Sequence, residues 1–574
     1  MQNKTTTRSN SSVQVCQNCK NNFVIDQEDF SFYEKIKVPP PTFCWECRHQ
    51  RRLSFRNERV FYKRNCDLCG KSVVSRVSPD KSYKMYCTKC WWSDKWDPKD
   101  FGVEIDFSRS FLEQWKELFF KVPHISIFNS NVVNSDWVNQ ETDDKNCYLN
   151  VGGLYNEDSA YNTYEVYGKN CFDNYWILNS DHCSNDIHTE RCYFTHFSQE
   201  VQDCLNTAFS YDCRNCNNVI GCIGLRNKKY CIFNKQYTKE GYEEFLQLHP
   251  LSSDSSCKWW KVESKKIWDS FPHRENTIFK SVNSTGDCLI ESKNSKNCWE
   301  STKIENSKNL FICGWMRDCF DCTCMGASEL GYEIAHSGGA YNSKVLLFCL
   351  SNDPLKKMTI NDVEYSAVTT SSSNCFGCVG LRNAEYMILN KKYSKEEYEK
   401  LLPKIKQHMI EVPFVDKKGN VYRYGEFFPS EFSPFGYNET TAGEFIELSK
   451  EEALAQGYIW SDYVSNVNYE FSNYEIPDDI KDVKNDILEK VLKCEDTGKA
   501  YKITEIELSF YRQAGLPIPR ISPQKRHSDR VKILFPCKLF IRKCHKCGNK
   551  IETAYSPDRP EIIYCEKCYQ QEVY

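Results

Sequence analysis

The sequence lacks any apolar segment long enough to cross a membrane. Its mean hydropathy is −0.63, and no apolar run reaches the roughly 18 residues of a spanning helix. The Thr- and Ser-rich start from Met1 to Ser12 has no hydrophobic signal region. We therefore expect a disordered tail over residues 1–12, no membrane partner, and a cytoplasmic location in which thiols stay reduced.

The sequence also lacks the short motifs of common enzymes. It has no H-E-x-x-H, G-x-S-x-G or dinucleotide fingerprint, and Asn65 stands where a phosphate-binding loop would have glycine. Because a site built from scattered residues would escape such a search, an enzyme with a site near His182–His196 stays open as a third hypothesis. The densest His and carboxylate cluster lies there and comprises His182, His188, His196, Asp181 and Asp186.

Cysteine, by contrast, is abundant, with 33 among 574 residues. Residues 494–574 are a gapless, diverged copy of residues 16–96, displaced by 478 positions. Both copies contain two Cys-x2-Cys pairs, and the segment between the pairs falls inside the window of ~15–20 residues typical of four-cysteine zinc ribbons. These two quartets are Cys66, Cys69, Cys87 and Cys90, and Cys544, Cys547, Cys565 and Cys568.

Another quartet is present in the N-terminal copy only. It comprises Cys16, Cys19, Cys44 and Cys47, and the matching positions of the C-terminal copy hold Cys494, Thr497, Ser522 and Lys525. Four thiolates around one tetrahedral ion are useful only together, so their joint loss indicates that they share an ion. We predict three Zn²⁺ per chain, each in a closed structural site.

The middle of the chain is a cysteine-rich repeat. The interval from Cys171 to Cys192 recurs from Cys192 to Cys213 and from Cys183 to Cys204, and Asn, Asp, Ser and Gly fill these intervals. A fixed period of this kind favours a β-solenoid whose narrow interior is filled by small, buried, reduced cysteines. The shorter intervals between neighbouring cysteines also permit a meander of hairpins, which we keep as the alternative.

A second duplication closes each half of the middle region. Residues 221–246 and 377–402 match at 16 of 26 positions. In the second copy Ser394 and Glu397 form a capping box, which predicts a short capping helix from Lys395. Capping boxes and apolar spacing also predict a helix after Ser110 and an amphipathic helix over residues 478–493.

The ends of the chain are basic, whereas residues 141–220 carry thirteen acidic and four basic residues. If the segment after Cys47 is helical, five cations fall along one face, where they could grip phosphates. Trp91, Trp92 and Trp96 could then stack on unpaired bases. The alternative is an interaction with an acidic protein surface, including the acidic middle of this chain. The candidate nucleic-acid-binding residues are Arg48, Arg52, Arg56, Arg59 and Lys63.

The segment Cys44-WECRHQR-Arg52, the twice-used "GLRN…Y…NK…Y" module and the ending "SPDRPEIIYCEKCY" carry a family resemblance. The chain resembles the uncharacterised multi-zinc-ribbon proteins of small-genome uncultivated bacteria. The resemblance implies zinc ribbons and a cytoplasmic bacterial setting, and it supplies no activity to carry over to this chain. Missing ligands at Thr497, Ser522 and Lys525 set this chain apart from the fuller pattern.

These observations predict a multi-domain, mainly β protein, in which terminal four-cysteine zinc ribbons flank a cysteine-rich β-solenoid-like repeat region with short capping helices. The leading functional hypothesis is a non-enzymatic zinc-binding scaffold that binds RNA, DNA or a ribonucleoprotein through its basic terminal modules. The alternative is a protein-binding or assembly scaffold with purely structural zinc. The expected segments are a two-zinc module (13–100), a linking helix region (101–140), two repeat halves (141–246 and 278–402) joined by a linker (247–277), a mixed linker domain (403–493) and the degenerate one-zinc module (494–574).

Overall fold

A computed structural model describes residues 11–337, 343–349, 360–463, 469–534 and 536–573. The chain divides into two compact units. Unit 1 comprises Met1–Phe128 and Thr277–Tyr463, and unit 2 comprises Asn129–Asn276 and Val464–Tyr574. Each unit therefore combines one terminal module with the half of the repeat region that is more distant in sequence. Among the described residues, no helix has the length and apolar character needed to cross a membrane.

The repeat of unit 2 is a stack of parallel β-pairs, which we call the first stack (residues 129–236). Each segment pairs with the segment one repeat later, as in Tyr148 with Ala160 and Ala160 with Phe172. The strands are Asn129–Ser130, Glu141–Thr142, Thr163–Val166, Tyr175–Leu178, Ile187–Glu190, Tyr193–His196, Leu205–Ala208, Asn217–Ile220, Lys229–Ile232 and, antiparallel at the end, Lys235–Gln236.

Backbone hydrogen bonding in the first stack recurs at every third residue. Ala160 donates its N–H to the carbonyl of Cys171, one repeat later, and Tyr161 donates to the carbonyl of Tyr148, one repeat earlier. Tyr161 adopts φ 64°, and from Tyr155 to Tyr230 every third residue has positive φ. Each repeat therefore contains four left-handed corners, where Asn, Asp and Gly are the usual residues.

The third position of each triplet faces inward, and at many of these positions a side chain of the preceding repeat accepts the backbone N–H. Asn162 donates its backbone N–H to Oδ1 of Asn150 at 3.0 Å, and Asn174 does the same to Asn162 at 2.9 Å. Further along the chain, Cys204 donates its backbone N–H to Sγ of Cys192 at 3.4 Å, and Cys216 donates to Sγ of Cys204 at 3.3 Å. Serine and aspartate do the same, because Cys192 donates to Oγ of Ser180 at 3.1 Å and Ser198 to Oδ1 of Asp186 at 2.8 Å. Cysteine, serine, asparagine and aspartate thus share one role, which we call the acceptor ladder.

Unit 1 contains the second stack (residues 278–392), which repeats the same pairing. Its step is the same as in the first stack, with two departures. Ile278 pairs with Leu289, one residue short of a full step, and Lys344 pairs with Glu364 across an insertion. The strands are Ile278–Phe279, Gly286–Ile290, Cys298–Glu305, Phe311–Arg317, Phe320–Glu329, Tyr332–Ser337, Lys344–Cys349, Asn361–Glu364, Ser373–Phe376, Glu385–Ile388 and, antiparallel at the end, Lys391–Lys392.

The expected period, the interval from Cys171 to Cys192, is wrong, because the step of the repeat is 12, as from Asn150 to Asn162. Each repeat consists of four triplets, and the expected interval spans one whole repeat and three further triplets. It therefore joins cysteines that belong to different triplets of neighbouring repeats. The hairpin meander is also excluded for the described residues, where successive repeats pair in parallel. Cys192, Cys204 and Cys213 are buried, reduced thiols as expected.

Helices follow the end of each stack. Lys395–Glu411 begins at the predicted capping box of Ser394 and Glu397, and Lys239–Leu248 occupies the matching place after the first stack. The next helix, Asp254–Ser270, lies in the expected linker and buries Trp260 completely.

The N-terminal module of unit 1 surrounds its cysteines with short strands and helices. Ser110 caps the predicted helix Phe111–Lys121, which buries Trp115 and Leu118. The other elements are strands Ser12–Val15, Asn22–Ile25, Tyr62–Asn65, Ser72–Ser75, Met85–Tyr86 and His124–Ile125, helices Gln27–Lys35, Trp45–Leu53 and Thr88–Trp91, and the 3-10 helix Pro98–Phe101.

After helix Lys395–Glu411, the described residues of unit 1 form only short strands and helices. They are strands Phe414–Val415 and Val421–Tyr422, 3-10 helices Ser430–Phe432 and Tyr437–Glu439, and helices Thr441–Phe445 and Lys450–Ala455.

The C-terminal module of unit 2 repeats the N-terminal plan. Its elements are strands His273–Arg274, Leu492–Lys493, Ala500–Tyr501, Phe540–Lys543, Lys550–Thr553 and Ile563–Tyr564, and helices Glu505–Ala514, Pro523–Ile533 and Glu566–Val573.

The predicted amphipathic helix over residues 478–493 is wrong. The 3-10 turns Ile480–Asp482 and Asn485–Glu489 and the strand Leu492–Lys493 form there instead. Ile480, Val483 and Ile487 are nevertheless buried. Asp478 instead accepts hydrogen bonds from Ser253 and Ser255, so tertiary contacts hold the segment extended.

Candidate metal centres

Each cysteine quartet is built on a knuckle with the same backbone. In Cys66-x2-Cys69, Gly70 has φ 73° and donates its N–H to the carbonyl of Cys66 at 2.8 Å. Gly548 takes the same conformation after Cys547, with φ 73°. Glycine suits this left-handed position because a Cβ atom is disfavoured there. In the first quartet Lys20 adopts it, with φ 63°.

The structure brings each predicted quartet together. Within each set of four, the Sγ atoms lie within 4.8 Å of one another. A tetrahedral zinc with Zn–S bonds of ~2.3 Å requires S···S separations of about 3.8 Å. The observed separations are 3.6 Å for Cys19 and Cys44 and 4.0 Å for Cys69 and Cys87. The donor sets therefore fit a four-thiolate ion such as Zn²⁺.

Backbone donors surround these sulfurs. Cys87 donates its N–H to Sγ of Cys66 at 3.2 Å, and Cys565 donates to Sγ of Cys544 at 3.3 Å. Burial raises the pKa of Cys544, but the N–H groups of Cys547 and Cys565 outweigh it and lower that pKa to about 6. Such donors favour the thiolate, which is the form that binds a metal.

The degenerate site of the C-terminal module keeps the knuckle without the ligands. Cys494 is buried. Gly498 donates its N–H to the carbonyl of Cys494 at 2.9 Å, which closes the turn. Ser522 donates its backbone N–H to Sγ of Cys494 at 3.3 Å, while the ammonium of Lys525 pairs with Asp496 at 3.2 Å. The fold persists here because Cys494 is part of an apolar cluster with Tyr501.

The five predicted cations do not form one exposed stripe. The helix ends at Leu53, so Arg56, Arg59 and Lys63 do not continue it. Arg48 and Arg52 are 3 and 0 % exposed. Arg56 is buried and pairs with Glu58, whereas Arg59 is partly buried and Lys63 exposed.

The buried guanidinium groups pair with carboxylates of the second stack, within unit 1. Arg48 donates from Nη2 to both oxygens of Asp321 at 3.0 and 2.9 Å. Arg52 donates from Nη1 to Glu333 at 2.6 Å. Asp321 and Glu333 are left-handed corners of successive repeats. The expectation of an exposed stripe is wrong, because sequence spacing shows which cations share a face but not what covers that face.

Unit 2 contains the same arrangement. Arg526 and Arg530, which match Arg48 and Arg52 in the duplication, pair with the corner residue Asp173 of the first stack at 2.9 and 3.2 Å. Asp173 lies four repeats before Gly221, as Asp321 lies four repeats before Gly377. Sequence reasoning missed Asp321, Glu333 and Asp173. The signal that could have found them is that both members of each Arg-x3-Arg pair recur at the duplication offset.

The histidine cluster does not converge. His182 stacks on Phe194, with centroids 4.7 Å apart, while His196 forms a hydrogen bond with Ser184 at 3.0 Å. His188 forms a hydrogen bond of 2.6 Å with Glu200. Burial, with His182 nearby, lowers the pKa of His196 to about 3. Within the described part of unit 2, the three rings do not form one ligand set.

Comparison of the sequence with protein-family models and with curated proteins finds no match.

Proposed function

We propose that the protein is a non-catalytic scaffold in which each stack closes into a β-solenoid and is held by one zinc-stabilised terminal module. The proposal includes three Zn²⁺ per chain, one at each quartet. Four thiolates leave no open position on the ion, so the metal would hold loops together rather than perform chemistry.

The observation that carries this proposal is the pair of buried arginine clusters. In both units the arginines of the Arg-x3-Arg helix form ion pairs with a carboxylate of the stack. This carboxylate is Asp321 in unit 1 and Asp173 in unit 2. A guanidinium group buried against a carboxylate is not available to phosphate, and exposing it would leave the carboxylate unpaired. The modules are therefore used as clamps, and the outer faces of the stacks would serve as docking surfaces for proteins.

Binding of RNA or DNA is the competing function, and a salt titration separates it from the scaffold. Fluorescence anisotropy of the intact chain with random single-stranded RNA and DNA should show only weak binding, with a shallow dependence on salt. Each phosphate contact would add ~0.7 to the log–log slope on single strands. Submicromolar binding with a slope near −4 or steeper would contradict the scaffold and support a nucleic-acid interface.

A charge variant locates any such interface. Lys63→Glu changes an exposed position of unit 1 and leaves the buried arginines intact. If the scaffold proposal holds, the variant has no effect on anisotropy. Crosslinking in the native host, followed by mass spectrometry, should identify the same protein partners for wild type and variant.

A further inference from the structure

Unit 1 contains a surface cavity of about 440 Å³ between its N-terminal module and the second stack. Trp92, Trp96 and Asp97 line it from the module, and Thr370, Arg382 and Asn383 line it from the stack. Its walls thus combine indole rings with a guanidinium group, an ammonium group, two carboxylates, hydroxyls and an amide, so aromatic surface and polar groups meet in one site.

Arg382 forms no close ion pair within the described residues, although the Asp94 and Asp97 carboxylates stand near enough to stabilise its charge. Its guanidinium lies 5.4 Å from the ring of Trp91 and 5.2 Å from that of Trp96, and Nη2 donates to the carbonyl of Trp96 at 3.3 Å. Packing on indole rings holds the group in place, but leaves most of its donors unused.

The matching arginine of unit 2 is paired with a carboxylate. Arg226, which corresponds to Arg382 in the second duplication, donates from Nη2 to Oδ2 of Asp212 at 2.9 Å. The same carboxylate accepts from the hydroxyl of Tyr569 at 2.6 Å, and from Nε of Arg214 at 3.2 Å. In unit 2, therefore, the group that pairs with the arginine at this position is a carboxylate.

Unit 1 has the arginine but lacks all three of these partners at the matching positions. By the same offsets, Val368 replaces Asp212, Thr370 replaces Arg214 and Trp91 replaces Tyr569. Val368 adopts φ 53°, a conformation that is unusual for a β-branched residue and common for aspartate. Arg382 thus lacks the hydrogen-bonding partners that surround Arg226, and it borders a cavity. It is positioned to pair with the carboxylate of a bound ligand.

We propose that this cavity binds a small ligand bearing one carboxylate, which pairs with Arg382 where Asp212 pairs with Arg226. The flat body of the ligand lies against Trp92 or Trp96. Asp94, Asp97 and Lys99 stand at the same cavity, and the ammonium of Lys99 lies 3.8 Å from Asp97. With Arg382 the charged lining is neutral, so a second negative charge on the ligand finds no further cation to offset it. The site therefore favours a monoanion over a phosphate dianion or a nucleic acid. This inference goes beyond the scaffold function and does not depend on it.

Calorimetry of the zinc-loaded full chain with benzoate, benzamide and phenyl phosphate tests the proposal. Benzoate should bind at least ten times more tightly than benzamide, its neutral isostere, and more tightly than phenyl phosphate. Arg382→Gln should remove this preference, whereas Arg423→Gln, at an exposed arginine of unit 1 outside the cavity, should leave it unchanged. Equal affinity for benzoate and benzamide, or tighter binding of phenyl phosphate, would overturn the assignment.

A second variant separates ligand binding from folding. Val368→Asp restores the residue of the other unit and keeps Arg382, so it should fold, and should lower the benzoate affinity at least tenfold by supplying an internal carboxylate. Circular dichroism and thermal unfolding check the fold of both variants. Undiminished benzoate binding by folded Val368→Asp would contradict the role of Arg382 as the carboxylate partner.

Discussion

The inward-facing residues of the stacks are hydrogen-bond acceptors as well as space fillers. Ser180 accepts the N–H of Cys192 at 3.1 Å, and Cys192 in turn accepts the N–H of Cys204 at 3.4 Å. Both side chains also donate to the carbonyl two positions earlier, as in Ser180 to Leu178 and Cys192 to Glu190. Serine and cysteine are therefore interchangeable in this ladder, which an apolar interior would not allow.

The ladder predicts an unusual order of substitution costs at Cys204. Cys204→Ser should change the free energy of unfolding by less than about 1 kcal/mol, because a hydroxyl can accept the N–H of Cys216. Cys204→Ala should cost about 1–3 kcal/mol, because that buried donor loses its acceptor. Urea unfolding measures both. A stable alanine variant and a strongly destabilised serine variant would show that the thiol is only apolar filling.

Glu165 predicts a dependence of stability on pH. Burial, together with the Asp144 carboxylate, raises its pKa from 4.5 to about 8. The folded state therefore keeps a proton that the unfolded state releases, and stability falls as pH rises from about 4.5 to 8. Glu165→Gln removes this loss and can still accept from Asn150 and Asn162, which donate to Oε2 at 2.9 Å.

We expect Glu165→Gln to be more stable than wild type by about 1–3 kcal/mol at pH 8, with a smaller gain at pH 6. Urea unfolding at the two pH values measures this gain. Glu157→Gln, at a partly exposed carboxylate of the same stack that pairs with Lys145 and Lys169, serves as the control and should show no gain that grows with pH. A gain independent of pH would mean that the carboxyl group is ionised in the folded state.

At the scale of elements, one helix fixes each terminal module to its stack. Helices Trp45–Leu53 and Pro523–Ile533 both place two arginines, one turn apart, against corner carboxylates. The corner conformation tolerates Asp and Asn, so the carboxylate can project from the stack without disturbing its backbone. The cysteine quartets and the arginine helices thus belong to different parts of the same modules.

Asp173→Asn tests the clamp in unit 2. Asparagine keeps the left-handed corner and changes only the charge, so Arg526 and Arg530 lose their shared counterion. Breaking a buried ion pair from one side typically costs ~3–5 kcal/mol. We expect a loss of that size in urea unfolding, nearly unchanged at high salt. The control is Lys145→Gln, which removes an exposed pair with Glu157 and should cost at most ~1 kcal/mol. A loss below ~1 kcal/mol for Asp173→Asn would contradict the clamp.

At the scale of the whole molecule, the three quartets predict the metal content. Elemental analysis of reduced protein should return three Zn²⁺ per chain. Cys90→Ser should return two and destabilise unit 1, because structural zinc contributes a binding free energy of ~10–16 kcal/mol to its loop. Cys494→Ser should still return three, since its former partners are Thr497, Ser522 and Lys525. A wild-type content of two or four would overturn the assignment.

Local spacing and internal duplication were enough to predict the cysteine quartets, the caps of Lys395–Glu411 and Phe111–Lys121, and the burial of Cys204. Each of these depends on residues close together in sequence, or on a copy whose losses reveal which cysteines act together. The physical constraints are short-range: ligand spacing for a metal ion, first-turn N–H groups for a cap, and limited room for a buried thiol.

Only the tertiary structure showed which groups the arginines contact and how long the repeat is. Arg48 meets Asp321 across 273 positions of sequence, and whether a cation faces solvent or a carboxylate depends on that distant partner. The true period was hidden because Ser, Asn, Asp and Cys alternate in one acceptor ladder, so no single residue type marks every repeat. The hydrogen-bond geometry is constant where the residue type is not, and it is this geometry that the folded chain preserves.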